Sequence, residues 1–142
     1  MGEPMAKKGP KTVELPVKTV SRIAFVNITS GIKDVVRASG VASGICMVFC
    51  PHTTAGLTIN ENADPDVVHD MIMKTSKMVP QEEGYKHSEG NSDAHIKSSL
   101  FGPSLQLIVE NRDLLLGTWQ SVYFCEFDGP RSRRVFVKVY EV

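Results

Sequence analysis

No uninterrupted apolar run in this chain approaches the roughly 20 residues that a helix needs to cross a bilayer, so no membrane-spanning helix is expected. The N-terminal stretch Met1 to Pro10 is polar, with glycines, prolines and lysines, and has no apolar signal-peptide segment. Cysteine is scarce. Cys46, Cys50 and Cys125 are an odd number set in apolar surroundings, which argues against a disulfide-stapled scaffold and suits buried thiols in a reducing compartment. The cytoplasm is therefore the expected location. Neither sign of charge is in excess, because 16 Lys and Arg balance 16 Asp and Glu. That balance gives no general footprint for nucleic acid, and neither nucleic acid nor a membrane is expected as a partner. Also missing are a phosphate-binding loop with its lysine, a glycine-rich dinucleotide fingerprint, a His-Glu-x-x-His helix and a serine nucleophile elbow.

What is present suits one domain. The 142 residues, 42% hydrophobic and 23% charged, suffice for a core without staples. Residues 1–11 read as a flexible tail and residues 12–142 as the domain. Charge is uneven within the neutral total: residues 1–40 carry seven Lys/Arg against three Asp/Glu, while 61–97 carry eight acidic against four basic groups and three of the four histidines. Local excesses of this kind are usually solvated faces. They leave room for a small anionic ligand at a local basic group.

The hydrophobic periodicity predicts strands over Thr12–Thr19 and Arg22–Ile28, with Pro16 placing the first at an edge or bulge. Thr29 or Ser30 is the expected cap of a helix ending at Gly40, with Ile32, Val35 and Val36 on its inner side. Ser43–Cys50 is nearly all apolar and reads as a central strand, followed by a short strand around Leu57 and Ile59. Asn62 or Asp64, with Pro65, starts a second helix striped by Val67, Val68, Met71 and Ile72. Pro80–Asn91 reads as a loop. Ser92 or Asp93 starts a third helix, with Ile96 and Leu100 expected inward. Four strands close the chain, at Ser104–Val109, Leu114–Leu116, Gln120–Phe127 and Arg133–Val142, separated by turn-forming text. The expected class is α+β, a mainly antiparallel sheet with two or three helices packed on one side.

The chemistry-bearing residues lie in a few segments. His52-Thr53-Thr54 follows the central strand, where a rigid strand end holds an imidazole and the next loop exposes it. His52 can ligate a metal or exchange a proton near neutral pH, and the hydroxyls of Thr53 and Thr54 can meet phosphate oxygens; an ordinary capping histidine is the alternative. His87 and His95 bracket a polar loop that a cation could fold back. Zinc takes three or four ligands at about 2.0–2.3 Å, so this pair needs a third, for which His52 is the natural choice. Two separate loop histidines are the plainer account. Asp93 is a candidate outer-shell partner. Glu61 can take a substrate proton or hold His52, while Asp64 and Asp66 are explained by the helix start beside them. Arg131 lies at a turn, where its fork can bind a phosphate or carboxylate, or pair with a neighbouring acid. His69 belongs to a solvent-facing helix surface, and Trp119 to the core or a subunit contact.

At these residues the sequence resembles the YjbQ family. The matching text is Pro51-His52-Thr53-Thr54-Ala55-Gly56-Leu57-Thr58-Ile59-Asn60-Glu61-Asn62-Ala63-Asp64-Pro65, then Gly90-Asn91-Ser92-Asp93-Ala94-His95-Ile96-Lys97, Leu116-Gly117-Thr118-Trp119-Gln120 and Glu126-Phe127-Asp128-Gly129-Pro130-Arg131. The likeness covers about residues 12–142. It implies an α+β homotrimer with a polar site containing His52, His87 and His95, near a subunit boundary and open to a divalent metal, zinc or magnesium. Thiamine-phosphate synthase activity is associated with bacterial relatives, a reaction that joins a pyrimidine diphosphate to a thiazole phosphate and releases pyrophosphate. Carried onto this chain, the expected catalytic residues are His52, Glu61 and Arg131, and Thr53, Thr54, Asn91, Lys97 and Arg131 are expected at the phosphorylated substrate. A metal-dependent phosphoester hydrolase and a non-enzymatic, ligand- or metal-binding trimer are the alternatives. The family often has glycine where this chain has Arg112, and proline where it has Ile108.

Overall fold

The computed structural model describes residues 10–142; most of the expected N-terminal tail lies outside the described residues. Eight strands and three helices follow in the order β1 (Thr12–Lys18), β2 (Ala24–Asn27), α1 (Thr29–Ser39), β3 (Gly44–Phe49), β4 (Ala55–Glu61), α2 (Pro65–Met78), α3 (Ser92–Phe101), β5 (Ser104–Glu110), β6 (Asp113–Leu114), β7 (Gln120–Glu126) and β8 (Ser132–Glu141). Every strand pairing is antiparallel, so the α+β class stands. The strands divide into a five-stranded sheet, β1-β8-β3-β5-β6, and a three-stranded sheet, β2-β7-β4. The apolar strand β3 is central, and β1 with its Pro16 is at an edge, where a missing N–H costs no ladder bond.

Alternation explains the layers. Val135, Val137 and Val139 of β8, Cys46 and Val48 of β3, and Leu107 and Val109 of β5 turn to one face. They meet Leu57, Val122 and Phe124 of the small sheet, and Ile32 and Val36 of α1, in one cluster. The other face of β7 supplies Tyr123, Cys125 and Phe127, which pack with Ala94 of α3, Phe25 and Phe101. Strand β7 is thus covered on both sides. All three cysteines are free and buried.

Helix boundaries follow from local chemistry, while the cap of α1, the orientation of α3 and the place of Trp119 depart from the sequence reading. Neither Thr29 nor Ser30 caps α1: the Asn27 side-chain oxygen accepts the Thr29 N–H at 3.1 Å, and the Thr29 hydroxyl is engaged by the Val122 N–H at 2.8 Å. Gly40 closes α1 at φ 71°, as expected. Asp64 caps α2 by accepting the Asp66 N–H at 2.9 Å, with Pro65 in the first turn. Helix α3 is rotated from the expected orientation: Asp93, Ala94 and Lys97 are buried, while Ile96 and Leu100 are exposed. The rotation is affordable because Arg22 and Lys97 neutralise Asp93 and the Phe127 ring lies 5.7 Å from the Lys97 ammonium. Trp119, 62% exposed, is not a core residue. No described helix is long and apolar enough to cross a membrane.

Asn111 and Arg112 turn β5 into β6 with φ of 51° and 64°, the left-handed region that a two-residue hairpin turn requires. Asparagine tolerates it; arginine does not do so freely. Replacing Arg112→Gly should therefore raise stability by about 0.5–1 kcal/mol, read as an upward shift of the urea midpoint with unchanged slope. An unchanged or lower midpoint would contradict strain at this position.

Candidate functional site

The segments around His52, Asn91 and Asp128–Arg131 meet at one end of the molecule, beside a buried ion pair. Glu126, at the end of β7, has no exposed surface. Arg133, on the inward face of β8, reaches it through Nε at 2.8 Å and Nη2 at 2.5 Å. The Thr19 hydroxyl donates to the same carboxylate at 2.7 Å and the Asp128 N–H at 3.2 Å. Arg133 also donates to Thr54 Oγ1 at 2.8 Å, and the Phe127 N–H meets the Thr54 carbonyl at 3.2 Å. One pair thus fixes the β3–β4 loop, the end of β1 and the turn that carries Arg131. Burial pushes the Glu126 carboxyl up, but Arg133, Thr19 and the Asp128 N–H outweigh it and hold it below the ordinary range.

His52 is anchored to the neighbouring strand. Its Nε2 lies 3.1 Å from the Arg134 N–H and 3.0 Å from the Arg134 carbonyl; the neutral ring serves one at a time through its two tautomers. Its ring stands edge-on to Phe124 at 6.2 Å. Burial, then the Arg133 charge, lowers its pKa, so the imidazole is held neutral. Thr53 beside it is exposed; Thr54 is buried under Arg133.

His87 and His95 do come together. Their rings are 5.4 Å apart and perpendicular, in a shallow cleft of about 370 Å3 lined by Tyr85, Lys86, Ser92 and Ile96 as well. Glu89 Oε2 lies 3.5 Å from His87 Nε2. One turn before His95, Asn91 donates from Nδ2 to Asp128 Oδ2 at 2.9 Å, while its Oδ1 is buried with no hydrogen-bond partner among the described residues. Asp128 also receives Arg131 Nη2 at 3.2 Å and, through its carbonyl, Arg131 Nε at 2.9 Å.

Several expectations change at this point. The three imidazoles do not meet within one chain: among the described residues no group of three His, Cys, Asp or Glu side chains is placed to hold an ion. His52 is held against β8, away from the cleft at α3. The cleft of one chain offers two imidazoles, which suit a divalent cation such as zinc in type and fall short of a closed zinc set in number. Glu61 does not hold His52, because they lie at opposite ends of β4, a seven-residue strand that spans roughly 20 Å. Lys97 does not face a ligand: it is 2% exposed and lies 3.6 Å from Asp93. Burial lowers its pKa, against the opposing pull of Asp93. Asp93 in turn is bound by Arg22 at 3.0 Å and 3.2 Å, so this trio fastens the start of α3. Thr19, Arg22, Glu126 and Arg133 were given no site role from the sequence. Two left a signal: Arg133 shares the inward register of Val135, Val137 and Val139, and Glu126 ends an otherwise buried strand.

Residues 13–142 match the family described as UPF0047 protein YjbQ-like. The chain belongs to that family. It is 50% identical over 126 residues to UPF0047 protein YugU of Bacillus subtilis (strain 168), covering 88% of this chain and 96% of that one. UPF0047 protein MJ1081 of Methanocaldococcus jannaschii is 51% identical, over 87% of this chain and 89% of its own length. A crystal structure of a YjbQ/UPF0047 family protein from Clostridium acetobutylicum superposes with a TM-score of 0.89 at 56% identity, covering 90% and 99% of the two chains. A protein from Sulfolobus solfataricus P2, described as YbjQ-like and of unknown function, gives a TM-score of 0.87 at 28% identity, over 92% and 96% of the two chains. The YjbQ-like fold therefore persists where nearly three quarters of the aligned residues differ.

Three outcomes test this description of the site. Arg133→Met, which strands the Glu126 charge, should cost about 3–5 kcal/mol of stability, measured by urea denaturation. Because the Glu126 pKa is depressed on folding, its contribution is full above its unfolded pKa and fades as pH falls through the folded value, so wild-type stability should decline on acidification. His52 should titrate below 6.5 by NMR, and its favourable contribution to stability should fade as pH falls below 6.5. A His52 pKa above 6.5 would contradict the burial and the Arg133 charge assigned to it.

Proposed function

We propose that this chain is one subunit of a homotrimeric, metal-assisted transferase of the thiamine-phosphate synthase type, working in the cytoplasm on phosphorylated small molecules. The observation that carries the reading is the meeting of His87 and His95 one turn from Asn91, which is itself hydrogen-bonded to Asp128 beside Arg131. Imidazole suits zinc rather than magnesium, and in this reading His52 of a neighbouring copy is the third imidazole. Exposed Ile96 lines the histidine cleft and Leu100 lies one turn beyond it, while the apolar stripe of α2 contains no fully buried residue. Covering these residues with a second copy would bring the cleft to a subunit boundary.

A bound cation would supply charge stabilisation to the departing pyrophosphate. The rest falls to the chain. Arg131, 55% exposed, presents guanidinium N–H groups to phosphate oxygens while Asp128 steadies its fork. The exposed Thr53 hydroxyl meets another oxygen. His52, held neutral with Nε2 turned to the Arg134 backbone, has its other ring nitrogen left for the cation of the neighbouring copy. Buried Thr54 and Lys97 act by holding their segments in place.

Sedimentation should give a three-subunit mass, and metal-loaded protein given both phosphorylated precursors should form thiamine phosphate. Alanine at His52, His87 or His95 should cut the rate at least tenfold, the scale at which altered metal surroundings act. Unchanged yield in all three variants would refute the site. Phosphate release without the thiazole partner would identify a hydrolase, and cation binding without turnover a binding protein.

A further inference from the structure

The outward face of the five-stranded sheet has been given no role, and none of the three helices covers it. Helix α1 packs on the inner face through Ile32 and Val36, while α2 and α3 lie against the small sheet through Val68 and Ala94. A sheet face that meets water ordinarily carries polar side chains. Here the pairing register aligns an uncharged row instead. Ile108 of β5 is opposite Ile45 of β3, and Ile45 is opposite Tyr140 of β8. Leu115, just past β6, extends the row, its N–H bonded to the Ile108 carbonyl at 2.8 Å. Four residues along β3, Phe49 is opposite Phe136, and Met47 lies between the two rows on the same face. Ile108 and Leu115 are 50% and 59% exposed. The patch measures roughly 14 Å across the strands and 13 Å along them, the apolar centre of a subunit contact rather than scattered surface residues.

What covers it is argued by the rest of the chain. A second bare apolar surface exists on α3, where Ile96 and Leu100 stand one turn apart, Leu100 65% exposed. A helix ridge laid on a flat sheet is an ordinary layer arrangement, so one chain holds both halves of a fit. The rim of the sheet face also carries the imidazole that the cleft lacks. Strand β3 leaves the face at Phe49, and His52, three residues on, accepts the Arg134 N–H. The Arg134 guanidinium in turn lies 5.4 Å from the Phe136 ring on that face. On the other surface, Ile96 lines the cleft of His87 and His95.

From these placements we infer that the outward face of the large sheet receives α3 of a second copy of this chain. Each chain gives its sheet face to one neighbour and its α3 to the other, and His52 at the rim of one copy meets the two-histidine cleft of the next. A ring of three needs two different surfaces on every chain, which these supply. This docking rests on the homotrimer proposed above and assigns the faces that meet in it.

Sedimentation of the full chain and its variants tests the assignment. The wild type should run at the three-subunit mass. Ile108→Lys on the sheet face and Leu100→Lys on α3, both at exposed positions, should each run as a single chain with an unchanged circular dichroism spectrum. Leu115→Lys is a second sheet-face variant and should behave as Ile108→Lys does. Asp34→Lys, at an exposed position of α1, should keep the full mass. Mixing Ile108→Lys with Leu100→Lys should restore association and stop it at two chains. The intact α3 of the first then meets the intact sheet face of the second, and the remaining two faces are blocked. A wild-type monomer would overturn the docking together with the homotrimer. With a wild-type trimer, the docking alone is overturned if the folded lysine variants keep the three-subunit mass, or if the mixture forms no two-chain species.

Discussion

Glu126 has no exposed surface, and its charge is compatible with folding because Arg133, Thr19 and the Asp128 N–H surround both oxygens. Removing one member of such a set leaves a charge in apolar surroundings, which costs more than the pair contributes. That asymmetry makes the pair an organiser. It joins the two sheets at one end, because Glu126 belongs to β7 of the small sheet and Arg133 to β8 of the large one. It also couples three chain segments distant in sequence: Thr19 beyond β1, Thr54 before β4, and the turn holding Asp128 and Arg131. The candidate chemistry sits on top of this arrangement, with His52 pinned to the backbone of Arg134, next to the buried guanidinium.

The small sheet carries the second half of the site. Its outer face, through Tyr123, Cys125 and Phe127, is the surface on which α3 rests, and α3 carries Asn91 and His95 at its start. A second charged group, Asp93 between Arg22 and Lys97, fastens that start and explains why α3 presents Ile96 outward to the histidine cleft. Two enclosed charge clusters, one in each half, thus do at this end what the apolar core does elsewhere.

The elements were largely legible because burial imposes a period. The continuous apolar run of β3, the alternation of β8 and the Asp64-Pro65 start of α2 each reflect one dominant local cause. The orientation of α3 was not legible. Its charged residues lie inward, and their compensation comes from Arg22, 71 positions from Asp93. The site was half legible. Motif text marked His87, His95, Asn91 and Arg131, but spacing alone cannot say which imidazoles share a volume, and β8 rather than α3 turned out to hold His52. Glu61 does not reach His52 for a simpler reason: a strand is long, and its two ends serve different neighbourhoods.

Helix α2 has a good cap and a proline start, yet none of its fourteen residues is fully buried in the single chain. A helix this weakly covered has a low free energy of local opening, whatever the global stability. In a single chain its amides should be among the first to exchange with solvent, and its backbone among the first segments open to a protease. Segments of this kind can adjust their fit to whatever surface meets them, while the core strands stay as they are.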